Sequence, residues 1–215
     1  MVEYYNADDE AQVVKAWLKK YTSSIILGLI LGIALFYGIQ YWMAKRVVTA
    51  EKAATAYFML LNSTGLPNNP QTILLATDIV KNYPKTPYAS MAQLFLAQIS
   101  VNAQQYDKAE TQLQWVIGQS KVDAFKQLAR LRLARIFLFQ NDIDAAQNTL
   151  KVVDDKAYLP LIETVRGDIF MAQKQFDKAR SAYQTALKGA ESFEGLNSRL
   201  QMKLSDPRLV SNNSN

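Results

Sequence analysis

Phe176-Asp177-Lys178-Ala179-Arg180-Ser181-Ala182-Tyr183-Gln184-Thr185-Ala186 sets an aromatic, a small and a large residue three and then four positions apart. That is the spacing of one face of an α-helix. The pattern occurs twice upstream. Tyr106-Asp107-Lys108-Ala109 is followed by Leu113, and Ile143-Asp144-Ala145-Ala146 by Leu150. The starting residues 106, 143 and 176 are separated by 37 and 33 positions, which marks an internal repeat of helical units. Nine residues before each start stands a small residue, Ala97, Ala134 and Gly167, with Phe137 and Phe170 three beyond the last two. Each unit therefore reads as two helices, with small residues at the point where they meet. β-branched alternation is absent and helix formers dominate, so the fold expected is all-α.

The pairing of a small residue on each helix with a large residue one turn on resembles the tetratricopeptide repeat, whose period is about 34. Some positions depart from it. Gln93, Arg130 and Glu163 stand where a large aromatic is usual early in the first helix, and no repeat closes on the usual Pro. A generic antiparallel bundle with coincident Ala spacing is the competing reading. The register carried over from the resemblance places Met91, Leu94, Gln98, Val101, Leu128, Leu131, Arg135, Leu138, Leu161, Thr164, Asp168 and Met171 on a concave, partner-binding surface. This surface is mostly apolar and lacks the basic clamp that holds a terminal carboxylate. It implies apolar segments or a partner helix as ligands, with salt-tolerant binding. The opposite reading stays open, in which the stripe is packed core or is filled by a closing helix at 197–204. Upstream, 47–61 and 72–83 read as two further helices separated by the breaker Gly65-Leu66-Pro67-Asn68-Asn69-Pro70.

Residues 21–43, YTSSIILGLILGIALFYGIQYWM, contain no charge and lie between Lys19-Lys20 and Lys45-Arg46. At about 1.5 Å per residue such a helix crosses a hydrocarbon core of about 30 Å with its backbone amides satisfied internally. Tyr37, Tyr41 and Trp42 gather at its end, as aromatics do at the headgroup level. A cleaved signal peptide ending near Val48-Thr49-Ala50 fits less well, because the apolar run is too long and Lys45 and Arg46 intervene. Gly28 and Gly32 form a G-x-x-x-G pair, a candidate contact for a second membrane helix or plain filler. Val13, Val14, Trp17, Leu18 and Tyr21 form an apolar stripe opposite the lysines, as in an amphipathic helix at the interface or a solvated helix without lipid contact. Lys15, Lys19 and Lys20 before the span balance Lys45, Arg46 and Lys52 after it, so charge does not orient the segment.

The 215 residues hold no His and no Cys, which excludes imidazole and thiolate metal sites, His-based triads, Cys nucleophiles and disulfides. The excess of 24 Lys+Arg over 19 Asp+Glu is spread along the chain, unlike a nucleic-acid-binding run. The pairs Asp8-Asp9 and Asp154-Asp155 read as solvated charges, and neither catalytic residues nor cofactors are expected.

Glu3, Tyr5, Asp8-Asp9-Glu10, Gln12, Val13, Lys15, Trp17, Gly28, Leu31-Gly32 and Tyr41-Trp42 form an N-terminal block. With Ala109, Leu113, the run Leu131-Arg132-Leu133-Ala134-Arg135 and Met202-Lys203-Leu204, this block resembles the ancillary SecYEG translocon subunit family. The resemblance implies a bacterial inner-membrane protein that associates with SecYEG, with a membrane-anchored periplasmic chaperone of the peptidyl-prolyl isomerase type and with exported polypeptides. It also implies a cytoplasmic segment at 1–20, a membrane helix at 21–43 and a periplasmic repeat domain at 44–205. The polar stretch 206–215 is expected to be a disordered tail. A repeat scaffold in another envelope process, cell division or outer-membrane assembly, is the alternative.

Overall fold

Small residues let helices approach closely, and the computed structural model, which describes residues 7–63 and 69–210, is built on that approach. Among these residues there are ten α-helices and no strand. The chain forms two units, Met1–Glu51 and Lys52–Asn215.

The first unit is the greater part of α1, Ala7–Ser63. It holds a helix long and apolar enough to cross a membrane, and none of that apolar window is buried by protein. Leu27, Leu31, Leu35 and Ile39 are all more than half exposed. Cation and aromatic pairs sit at either end. Lys20 lies 5.6 Å from the Tyr21 ring and Arg46 3.4 Å from that of Trp42, so each charge can reach toward water while its ring stays at the interface. Trp17 meets Tyr21 at 5.3 Å on the expected amphipathic stripe; the side chains of Val13 and Leu18 lie outside the described residues.

In the second unit the expected helix at 47–61 is the end of α1, without a break after the span, and Ala53, Ala56, Tyr57 and Leu60 at this end turn inward. Then follow α2, Pro70–Asn82, and three helix pairs. These are α3, Pro87–Asn102, with α4, Tyr106–Gln119; α5, Asp123–Phe139, with α6, Ile143–Thr149; and α7, Leu159–Ala172, with α8, Phe176–Leu187. The chain closes with α9, Leu196–Leu204, and α10, Pro207–Val210. Asn69 and Thr86 cap α2 and α3 by accepting from the Gln71 and Ala89 amides, each with Pro at the first turn, where a missing N–H costs nothing.

The repeat positions all lie inside. Ala97, Ala134 and Gly167 face into the pairs, as do Ala109, Ala146 and Ala179, while Leu113, Leu150 and Tyr183 fill the space beyond; all are buried. The turns repeat as well. Gln104, Asn141 and Lys174, each two residues before a second helix, adopt left-handed φ of 58°, 62° and 58°. In each turn the following amide donates back across it: Gln105 to Ser100, Asp142 to Phe137 and Gln175 to Phe170, at 2.8, 2.8 and 2.9 Å. This is the Schellman closure, usually built on Gly.

Two expectations are corrected. Asp154 and Asp155 are not free solvated charges. The second helix of the middle pair has only 7 residues, and the loop after it is tied to α5 by polar bonds. Asp154 meets Arg130 at 2.6 Å, the Asp154 amide donates to buried Gln127 Oε1 at 2.8 Å, and Asp155 accepts from the Ala157 amide. The disordered tail does not begin at 206. Leu209 is 1% exposed within the last core cluster, and Arg180 donates to its carbonyl, so apolar burial holds α10 in place. Residues 211–215 lie outside the described residues.

A Cβ on Gly167 would stand 2.4 Å from the Tyr183 ring, and that ring is buried with its hydroxyl bonded to Asp168, so it has no room to yield. Gly167→Ala should therefore lower stability by about 1–2 kcal/mol, overriding a gain of about 1 kcal/mol in helix propensity. Lys174→Gly should act in the opposite direction, raising stability by about 0.5–1 kcal/mol by relieving the left-handed conformation. Urea midpoints of the full chain in detergent read both signs.

Candidate partner-binding face

The first helices are flanked on two sides, α3 by α2 and α4, α5 by α4 and α6, and α7 by α6 and α8, so much of their apolar surface is spent on the core. Leu94, Leu131 and Thr164 are 6%, 0% and 5% exposed. Leu94 belongs to the cluster shared by α3, α4 and α5, and Leu131 to that of α5, α6 and α7. Their assignment to a partner-binding surface is corrected, because a side chain closed off by neighbouring helices has no contact to offer. Val101 and Leu128 lie half-buried over the first of these clusters, Leu138 and Leu161 over the second, and Met171 over the last. Met91 and Asp168 are also half-buried, whereas Gln98 and Arg135 are exposed. Gln98 donates to Asn102 at 3.0 Å.

What remains accessible is a partly covered apolar strip, with Gln98, Arg135 and Asp168 as its polar members. Arg132 donates from Nη1 to the Leu94 carbonyl at 3.0 Å and so ties α5 to α3. Burial lowers its pKa from the ordinary arginine value, and the charge of Arg135 lowers it further. Arg135 is open to solvent, yet burial lowers its pKa most, Asp168 opposes that shift and Arg199 adds to it. Asp168 Oδ1 accepts from Tyr183 Oη at 2.6 Å and from Lys203 Nζ at 2.7 Å. Burial, followed by the bond to Asp168, pushes the Tyr183 phenol well above its ordinary value. Through Lys203 and the buried Leu196 and Leu200, α9 folds back on the last pair, so the closing helix fills that end.

In the sequence Arg132 and Lys203 stand out only within the family resemblance, and Arg199 and the Tyr183 hydroxyl have no assigned role. The local signal is the i, i+3 pair Arg132 and Arg135 inside an apolar run, a spacing that sets two charges side by side. A recess of about 410 Å³ between α2, α3 and α4, over the Ser100–Gln112 hydrogen bond of 2.8 Å, was not foreseen either. On α1, Gly28 and Gly32 have nothing within 4 Å of an added Cβ and lie in a shallow recess with Ile33 and Phe36.

A family model described as a tetratricopeptide repeat-like domain matches residues 15–207. The chain is similar to the ancillary SecYEG translocon subunit of Escherichia coli (strain K12), with 27% identity over 94% of this chain and 97% of the relative. It is 27% identical to the protein of that name from Aggregatibacter actinomycetemcomitans, over 87% and 91%. The corresponding figures for the Neisseria gonorrhoeae protein are 28%, 86% and 90%. No solved structure matches the chain significantly.

Leu131→Asp should unfold the repeat domain, since an unpaired charge in a closed core costs about 4 kcal/mol or more, close to the stability of a whole domain. Arg135→Gln should leave the melting curve within about 0.5 kcal/mol of the parent. Thermal circular dichroism of the two variants separates core from surface along one helix.

Proposed function

The chain belongs to the tetratricopeptide repeat-like domain family, and we propose that it is a non-enzymatic ancillary subunit of the SecYEG translocon. The observation that carries this reading is the extent of the similarity, which takes in both the apolar helix and the repeats. In this reading the chain is a single-pass protein of the bacterial inner membrane, with residues 1–20 cytoplasmic, 21–43 in the bilayer and the repeat domain periplasmic. It binds exported polypeptides, and with a membrane-anchored periplasmic chaperone of the peptidyl-prolyl isomerase type it aids the export and folding of secreted and outer-membrane proteins. The work is done by binding alone.

The physical argument is one of effective concentration. A span with an uncovered apolar surface holds the adaptor in the plane of the channel, so even weak contacts are occupied. Helix pairs stacked in series offer an extended face suited to a chain without fixed structure. The accessible part of the expected surface, Met91, Gln98, Val101, Leu128, Arg135, Leu138, Leu161, Asp168 and Met171, is the proposed contact for partners. Gly28 and Gly32 are proposed as the contact for a membrane helix, where a bare backbone permits close approach.

Two experiments test the reading. Protease added to intact spheroplasts should digest the repeat domain; protection until lysis would refute the orientation. Photoreactive residues at Gly32 and Gln98 in living cells should give adducts with translocon components from the first and with exported chains or the chaperone from the second. Adducts confined to division or outer-membrane assembly proteins would replace this role with a scaffold in that process.

A further inference from the structure

The recess between α2, α3 and α4 contains none of the contacts proposed above, and its chemistry is of a different kind. Burial gives its depth. Leu96, Ile99, Ser100 and Gln112 are buried and form the floor, half-buried Ile73 forms a wall, and the exposed Thr77 and Lys108 stand at the rim. Its volume of about 410 Å³ falls among those of pockets that enclose small ligands. The Gln112 carboxamide, only 8% exposed, is the telling group. Its Oε1 accepts from the Ser100 hydroxyl at 2.8 Å, and among the described residues its Nε2 donates to no protein acceptor. The one side-chain nitrogen sealed from solvent without a partner among those residues is Gln127 Nε2. The Gln112 amide therefore keeps access to open space, and the recess is the space that it lines. A donor set among apolar walls is matched by a ligand that brings an acceptor to it. At the rim, Lys108 makes no ion pair among the described residues.

We propose that this recess takes the side chain of a tyrosine presented by a polypeptide segment that carries an acidic residue beside it. The ring packs on Ile73, Leu96 and Ile99, and the phenol oxygen accepts from Gln112 Nε2. Other side chains fit less well. Phe and Leu would cover the amide without pairing it, and the Trp ring nitrogen is a donor only. An Asp or Glu at the floor would bring a charge to groups that are all neutral, at a high cost in lost hydration. Charge complementarity belongs instead at the rim, where the Lys108 ammonium is hydrated and meets the neighbouring carboxylate. A tyrosine with an acidic neighbour supplies the apolar body, the acceptor and the charge in that order from the floor outward.

The test uses the full chain, purified in a neutral detergent, and a fluorescent end-capped peptide with an Asp-Tyr pair between Gly-Ser flanks, read by anisotropy. The Asp-Tyr peptide should bind about tenfold more tightly than its Asp-Phe counterpart, because the Phe ring leaves the Gln112 amide unpaired. Partition into the micelle would give the reverse order, since Phe is the more apolar. Replacing Asp by Asn in the peptide should weaken binding about threefold, Lys108→Gln should do the same, and the two losses should not add, as for one exposed ion pair. Thr77→Trp, at an exposed position of α2, fills the mouth of the recess and should weaken binding at least about tenfold with the helical circular-dichroism signal retained. Lys188→Gln, at the exposed end of α8, should change nothing. The proposal is overturned if the Asp-Phe peptide binds the parent as tightly as the Asp-Tyr peptide, or if folded Thr77→Trp binds like the parent. It is also overturned if N-acetyltyrosinamide binds as tightly as the peptide, which would assign the recess to a small aromatic molecule. These measurements contain no translocon, so they stand or fall apart from that reading.

Discussion

Everything in the soluble unit depends on how near two helices can come. At Ala97 and Ala109, Ala134 and Ala146, and Gly167 and Ala179, the side chains are reduced to a methyl group or less and are buried. Paired backbones then draw close enough that Leu113, Leu150 and Tyr183 complete the packing. Interiors at crystal-like density leave little freedom once such a contact is fixed. The left-handed turns at Gln104, Asn141 and Lys174 follow from it, because a chain leaving one helix must reverse within a few residues to begin a partner so near.

This constraint was legible because it is local. Small and large residues recur at helical spacing, and no tertiary knowledge is needed to count them. The partition of Leu94, Leu131 and Thr164 from Gln98 and Arg135 was less legible. A helix sandwiched between two others is apolar over more than one stripe, and periodicity cannot say which stripe the neighbours cover. Leu131 and Leu138, seven residues apart, look alike in sequence. They part because α6 and α7 close over the first and leave the second half open. Asp154 was misread for a related reason. Its partners Arg130 and Gln127 lie 24 and 27 residues away, beyond any local pattern.

The same limit applies to charge. Counted along the chain, the basic residues look evenly spread and unattached, whereas the fold ties Arg132 to the Leu94 carbonyl of α3 and Lys203 to Asp168 of α7. An apolar, salt-insensitive face was the natural reading of the leucines; Leu94 and Leu131 went to the core, while Leu128, Leu138 and Leu161 stay half-buried. The membrane helix is the opposite case. Its apolar surface has no second layer of protein to read, and composition alone identifies it.

The shortened helix α6 also bears on how the array comes apart. Stacked repeats are joined only to their neighbours, so a solenoid behaves as a linear chain of couplings and its cooperativity is set by the thinnest link. Where α4 and α8 continue for 14 and 12 residues, α6 stops at 7. The missing turns are replaced by the Arg130–Asp154 pair and the Gln127 bonds, which exclude far less apolar area from water. Mechanical load or thermal opening will concentrate at that joint, dividing the domain into a half continuous with the anchored helix and a half closed by α9.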